Sequence, residues 1–223
     1  MAKAKKEKDP TEVLLKGVIL SFAEILEPSK EKVLEDGSVL ESKYKANFLI
    51  PKKDTEEEDT HPGAIKNASA NMKKLKAAKE AALAKKFGSK PPKLKPEKLC
   101  TKDGDLESWD GYEGHWYVST SNKDQPPIVG KNPKRKIENR RDAEAPYSGC
   151  LVNAVVRLYA TNNDVTKGGK RVSASLEGVQ FVDDGEAFGA APINPEDHFE
   201  NLSDDDDDIG EDFEDDDDLD DVL

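Results

Sequence analysis

The sequence predicts a mainly β fold: a five-stranded barrel with one helical insertion, followed by a disordered acidic C-terminal tail. Three observations lead there. Five apolar segments have the length and alternation of strands, one segment between the second and third has a helical period, and residues 200–223 hold 15 carboxylates and no positive side chain. There is no alternation of strand and helix that would build a parallel sheet, and no internal repeat at solenoid periods.

Residues 1–11 are lysine-rich without a hydrophobic pattern and read as a flexible basic arm. From Val13 to Leu26 the run VLLKGVILSFAEIL is β-branched and apolar, and Gly17 inside it marks a bulge or bend in a strand. Residues 43–50 alternate: Tyr44, Ala46, Phe48 and Ile50 point to a core, while Lys43, Lys45 and Asn47 face out. Pro51 ends this strand and an acidic, threonine-containing loop follows. Over 63–87 the spacing turns helical, with Ile65, Ala68, Met72, Leu75, Ala82 and Phe87 along one stripe, Pro62 before it and Gly88 after it. The segment GSKPPKLKPEK is an extended, proline-punctuated connector. Residues 115–120 (HWYVST) form a third strand, and 121–147, with little apolar content, a long exposed loop. The last two strands, 151–160 and 171–182, pair as a hairpin across TNNDVTKGGK, with Val152, Ala154, Val156 and Leu158 facing Val172, Ala174 and Leu176. A barrel buries one face of so few strands economically. The organisation is thus an arm (1–11), a folded domain (12–199) and a tail (200–223) too poor in apolar surface to offset its ordering entropy.

Charge is sorted along the chain. All 34 lysines and arginines, with 26 of the 47 acidic residues, lie at or before Arg171, so that stretch carries +8 and the remainder −21. An acidic tail on a basic body points to a polyanion as partner. The N-terminus has no apolar signal core and no apolar run approaches the ~20 residues of a bilayer span, so the expected location is the cytoplasm. Cys100 and Cys150 have no metal-ligand spacing and read as two thiols, a disulfide being the alternative. His61, His115 and His198 fall in separate segments and read as loop or surface residues. No catalytic motif or metal or cofactor site is present, and Gly168-Gly169 is a turn, not a phosphate loop. An enzyme is not expected.

What rises above background is positive charge interleaved with aromatics, the combination that binds single strands by neutralising phosphates and stacking bases. Lys43 and Lys45 lie on the outer face of the second strand, Arg157 and Tyr159 on that of the fourth, and Lys170 and Arg171 open the fifth. The loop KNPKRKIENRR supplies Lys131, Lys134, Arg135, Lys136, Arg140 and Arg141, as phosphate ligands or as a solvated loop. Trp109, Tyr112, Trp116 and Tyr117 fall within nine residues. Tyr117 is the better platform; Trp116 shares the face of Val118 and serves equally as core. The tail's carboxylates can compete with DNA for the same cations. Its apolar residues Ile209, Phe213, Leu219, Val222 and Leu223 can engage other proteins. The alternative is an acidic-tailed chaperone or DNA mimic that binds basic proteins.

The segments PPIVG (Pro126–Gly130), YSGC (Tyr147–Cys150), NAVVRLYA (Asn153–Ala160) and GGKRVSASLEGVQFVDDGEAFG (Gly168–Gly189), with a closing Phe199, resemble phage single-stranded DNA-binding proteins. FLIPK (Phe48–Lys52) and the lysine/alanine helix fit more loosely. The resemblance implies an OB fold that coats single strands with little sequence preference during phage DNA replication and recombination. It also implies an acidic tail that recruits replication or recombination proteins, and leaves open a homo-oligomer. This chain ends in Asp-Asp-Val-Leu, where many such tails end in an aromatic residue.

Overall fold

β-Branched and apolar residues favour extended backbone, and in the computed structural model they build, among the described residues, nine strands with one long helix packed beside them. The order is β1 (Glu12–Glu24), β2 (Lys32–Val33), β3 (Val39–Leu40), β4 (Tyr44–Pro51), α1 (Pro62–Phe87), β5 (Thr101–Asp103), β6 (His115–Asn122), β7 (Ile128–Val129), β8 (Leu151–Asn162) and β9 (Lys170–Asp183). The structure describes residues 9–189 apart from 34–36, 38, 54, 57–59 and 165–168. His198, Phe199, Ile209, Phe213, Leu219, Val222, Leu223 and the proposed boundary at 199/200 therefore lie outside the described residues, as does most of the basic arm.

Five strands close a ring. β1 pairs antiparallel with β4 and β8, β4 with β6, and β8 with β9; β6 and β9 then meet in parallel through Thr120 opposite Ala174 and Ser121 opposite Ser175. This is the mainly β barrel expected of an OB fold. Its interior is filled by the inward alternation of each strand, among them Leu15, Val18, Leu20, Phe48, Val118, Val156 and Leu176. The short β2–β3 hairpin and the β5 edge strand fall in stretches where the sequence shows no strand-like alternation.

Helix α1 starts at His61, whose Nδ1 accepts from the Gly63 N–H at 3.0 Å, and ends at Gly88, in the left-handed region at φ 71°. Its buried face is Ala64, Asn71, Leu75, Ala78 and Ala82. That corrects the expected stripe: Leu75 and Ala82 are in it, whereas Ile65, Ala68, Met72 and Phe87 are only half-buried. The reason lies in β1, whose register slips between Leu15 and Val18 at the bulge that Gly17 signals. The slip frees the backbone of Lys16 and Gly17 from the ladder. Asn71 accepts from the Lys16 N–H at 3.1 Å and donates to its carbonyl at 2.8 Å, and Asn153 accepts from the Gly17 N–H at 3.0 Å. A polar residue is therefore buried in the helix face to satisfy a strand. Gly17 sits at φ 53°, and a Cβ there would come within 2.8 Å of the Gly63 carbonyl oxygen.

Three further expectations are corrected. Residues 9–11 belong to the barrel rather than the arm: Asp9 accepts from the N–H and hydroxyl of Thr11, and the Thr11 carbonyl accepts from the Leu158 N–H. The 121–147 segment is pinned by Ile128 and Ile137, both buried, with β7 parallel to β9. His115 is buried rather than superficial, its ring nitrogens bonded to the Thr60 hydroxyl and the Glu113 carbonyl. Cys100 and Cys150 are both buried and unpaired.

Candidate nucleic-acid interface

Lys45 and Asn47 on β4, and Ser119 and Ser121 on β6, alternate with core residues and so face outward along neighbouring strands. With residues 171–174 of β9 they floor an open groove of about 670 Å³. One end is walled by aromatics in two layers. Tyr112 and Tyr117 lie beneath, ring centroids 5.0 Å apart; Trp109 sits edge-on to Tyr112 at 5.0 Å and Phe22 edge-on to Trp109 at 5.1 Å. The upper pair is open, Phe22 being 49% and Trp109 43% exposed, while Tyr112 and Tyr117 are buried.

This corrects the expectation that Tyr112 and Tyr117 stack on bases: neither ring face is available. Both are anchored instead. The Tyr112 hydroxyl donates to Ser21 Oγ at 3.2 Å and accepts from Asn47 Nδ2 at 2.7 Å, and the Tyr117 hydroxyl donates to Glu107. Burial, reinforced for Tyr117 by the Glu107 carboxylate, pushes both phenols above their ordinary range. Alternation put Tyr117 outside the barrel correctly; what hid it is a loop folded over that outer face.

Of the predicted residues, the groove brings together Lys43, Lys45, Trp109, Tyr159 and Arg171, and it adds Phe22, Lys98 and Lys102. Tyr159 is 44% exposed. Two of the groove's cations are loosely held: Lys45 lies 4.0 Å from Glu24 and Lys43 3.9 Å from Glu41. Exposed pairs at such distances contribute little and exchange readily for a phosphate. Lys102 places its ammonium 5.8 Å from the Tyr117 ring centre.

The remaining predicted residues lie elsewhere. Arg157 does not join Tyr159 in the groove; its guanidinium is held by Glu12 at 2.9 Å and Glu177 at 3.6 Å. Half the 131–141 cluster is satisfied internally: Arg135 bonds Asp142 and Glu144 at 2.8 and 2.9 Å, Lys131 meets Asp183 at 3.3 Å, and Arg140 meets Glu27 at 3.5 Å. Arg140 shares a neighbouring hollow with Lys45. Lys134, Lys136 and Arg141 are exposed, with no ion pair among the described residues. Lys170 is exposed, its ammonium 5.8 Å from the Phe87 ring. Trp116 is half-buried beside α1, with Lys52 4.9 Å from its ring centre.

Phe22 was hidden in an apolar run whose phase changes at a second irregularity of β1, between Ser21 and Glu24. Lys98 ends the proline-rich connector and Lys102 follows it, where nothing in the spacing signals that the chain returns to the barrel. Among the described residues no group of three or more His, Cys, Asp or Glu side chains could hold a metal ion, and no helix is long and apolar enough to cross a membrane.

Comparison with known proteins gives a consistent result. The family model for the single-stranded DNA-binding protein of Enterobacter phage Enc34 matches residues 11–210. A relative named putative protein p50, from Acyrthosiphon pisum secondary endosymbiont phage 1, is 36% identical over 200 residues, 86% of this chain and 94% of the relative. The single-stranded DNA-binding protein of bacteriophage Enc34, solved in complex with single-stranded DNA, superposes with a TM-score of 0.61 at 27% identity, covering 83% of this chain and 97% of its own. A C-terminally truncated form of that phage protein gives a TM-score of 0.60 at 26% identity, over 83% and 96%. Matched from the first ring strand past the last, the chain belongs to the family of the single-stranded DNA-binding protein of Enterobacter phage Enc34.

Proposed function

We propose that this chain binds single-stranded DNA in the groove across β4, β6 and β9, stacking bases on Phe22, Trp109 and Tyr159. Lys43, Lys45, Lys98, Lys102 and Arg171 meet the phosphates. The observation that carries the reading is the pairing of open aromatic rings with the loosely held Lys43 and Lys45 in one groove, in a family whose phage Enc34 member is solved with single-stranded DNA. Stacking and charge neutralisation read no base edge, so binding has little sequence preference. The role is one of coating single strands in phage replication and recombination, in the host cytoplasm, without catalysis.

The tail has a part in this proposal. Its 15 carboxylates compete with phosphates for the groove cations, suppressing weak binding until a strand that also stacks displaces them. The last described residue, Gly189, donates its N–H to Asp110 at 3.1 Å, next in sequence to Trp109. Once released, Phe213, Leu219, Val222 and Leu223 are offered to replication or recombination proteins.

The test is fluorescence anisotropy of a labelled single strand with the full chain and with residues 1–199, at two salt concentrations, with duplex competitor. The expected result is salt-sensitive binding, little affected by duplex and tightened by truncation. Absence of binding by either form at low salt would overturn the proposal in favour of an acidic-tailed binder of basic proteins.

A further inference from the structure

A second concavity of about 480 Å³ lies on the helix side of the barrel. Its walls are Met72 and Leu75 of α1, Leu99 just before β5, Thr101 at its start, and Trp116 of β6, and its rim carries Lys73, Lys76 and Lys79. Leu99 lines both this cleft and the groove. The two are thus separated by the single segment 99–102, from which Lys102 lines the groove and Thr101 the cleft. β5 is the edge strand of the sheet, so no further strand stands between them.

Resting on the proposed groove, we infer that the cleft is a second nucleotide subsite, into which a bound single strand continues over the β5 edge. Trp116 supplies the flat surface, and Lys73, Lys76 and Lys79 supply phosphate contacts. The indole is held in place for this: Lys52 lies over it at 4.9 Å and is itself clamped by Asp103 and Asp105. The charge is available as well, since none of the three rim lysines makes an ion pair among the described residues. An apolar wall under a cationic rim matches a strand of flat bases joined by phosphates. Continuity through Leu99 favours the strand already in the groove over an unrelated ligand.

The chain has two tryptophans, one in each subsite, so each can be read alone in the full chain. Trp116→Phe leaves Trp109 as reporter of the groove; Trp109→Phe leaves Trp116 as reporter of the cleft; both keep an aromatic ring. Oligothymidylates of about 5 and about 15 nucleotides bracket the roughly 4–16 nucleotides such barrels cover. Trp109 emission is expected to be quenched by both lengths and Trp116 emission by the longer alone. The triple variant K73E/K76E/K79E is expected to remove the gain in affinity between the two lengths. It should also make the salt dependence of the longer one shallower by about 2 in log–log slope, at ~0.7 per phosphate lost. Quenching of Trp109 with Trp116 silent at every length would overturn the inference and leave the groove standing. Silence of both would overturn the groove reading too. A Trp116 response to a synthetic peptide of residues 204–223, with none to DNA, would make the cleft a site for acidic peptide and overturn the inference.

Discussion

Replacing Trp109 with alanine removes the larger of the two open rings of the groove's aromatic wall and separates two roles that the structure superimposes. As a platform the ring contributes about 1–3 kcal/mol per stacked base, which is roughly a 5- to 150-fold weaker Kd at 1.4 kcal/mol per decade. As a lid it makes edge-on contacts at 5.1 Å to Phe22, 5.0 Å to Tyr112 and 6.1 Å to Tyr117, each worth about 0.5–1.5 kcal/mol. With 43% of the residue already exposed, the loss of fold stability is expected at about 1–3 kcal/mol. Removing the indole also uncovers Tyr112 and Tyr117, and either can offer a partial replacement surface, so the lower half of the binding range is expected. No cation is lost, so the salt dependence of log K keeps its slope. Anisotropy titrations across a salt series give affinity and slope, and urea unfolding gives stability. Trp109→Phe should recover most of both. Wild-type affinity in an alanine variant that has lost stability would refute the argument and leave Trp109 as a cover for the tyrosines.

Three other outcomes follow from the same geometry. Lys45→Ala combined with Lys102→Ala should weaken binding to all sequences alike and make the salt slope shallower by about 1.4, at ~0.7 for each phosphate contact; an unchanged slope would place the strand elsewhere. Asn71→Leu strands the Lys16 N–H and carbonyl that Asn71 now pairs. At about 1–3 kcal/mol for each buried unsatisfied group, urea unfolding should show a loss of about 2–4 kcal/mol, and a loss below about 0.5 kcal/mol would show that water reaches the bulge. Burial pushes the thiols up, Cys100 to about 11 and Cys150 to about 12. Because the folded values exceed the unfolded one, the stability linked to these protons is complete below about pH 9 and is lost as pH rises through 11–12. Iodoacetamide labelling at pH 8, read by mass spectrometry, should therefore be slow in the native protein and rapid in urea; rapid native labelling would contradict the burial.

The strands were legible where alternation meets a simple inside and outside. Val152, Ala154, Val156 and Leu158 are all buried as their period requires, and so are Val172, Ala174 and Leu176. The helix boundaries were legible because Pro62 and Gly88 punctuate them. Legibility failed where a second layer changes what outside means. Tyr117 points away from the barrel, yet the 104–114 segment folds over it, and that covering is set by Trp109 and by the Gly104 backbone. A Cβ at Gly104 would meet the Tyr112 carbonyl oxygen at 2.2 Å. Such contacts are long-range and leave no period behind. The same holds for charge. Six cations in 131–141 look like a binding cluster, but Glu27, Asp142, Glu144 and Asp183 neutralise half of them, and two of those four partners lie far off in the sequence.

The irregularities of β1 connect fold to site. At Gly17 the bulge tightens the strand against α1, with Asn71 and Asn153 taking up the backbone groups it frees. Five residues on, Phe22 adopts φ 48° without being glycine, a conformation that costs about 1–2 kcal/mol. Side chains in a strand alternate, so a one-residue slip moves every later one to the opposite face. The break between Ser21 and Glu24 lets Ser21 stay buried against the Tyr112 hydroxyl while Phe22 stands 49% exposed at the groove. A regular ladder would have continued the apolar run into the core or lost the Ser21–Tyr112 bond. The strain is offset by ring contacts from Phe22 to Trp109 and Tyr112 at 5.1 and 6.1 Å, the same wall that offers bases a surface. Backbone strain of this kind persists where surrounding structure over-determines it, and here the residues that hold it are those of the binding wall. The barrel and the groove are therefore not independent designs: the departure from strand regularity that closes the aromatic wall is also what places Phe22 at the groove.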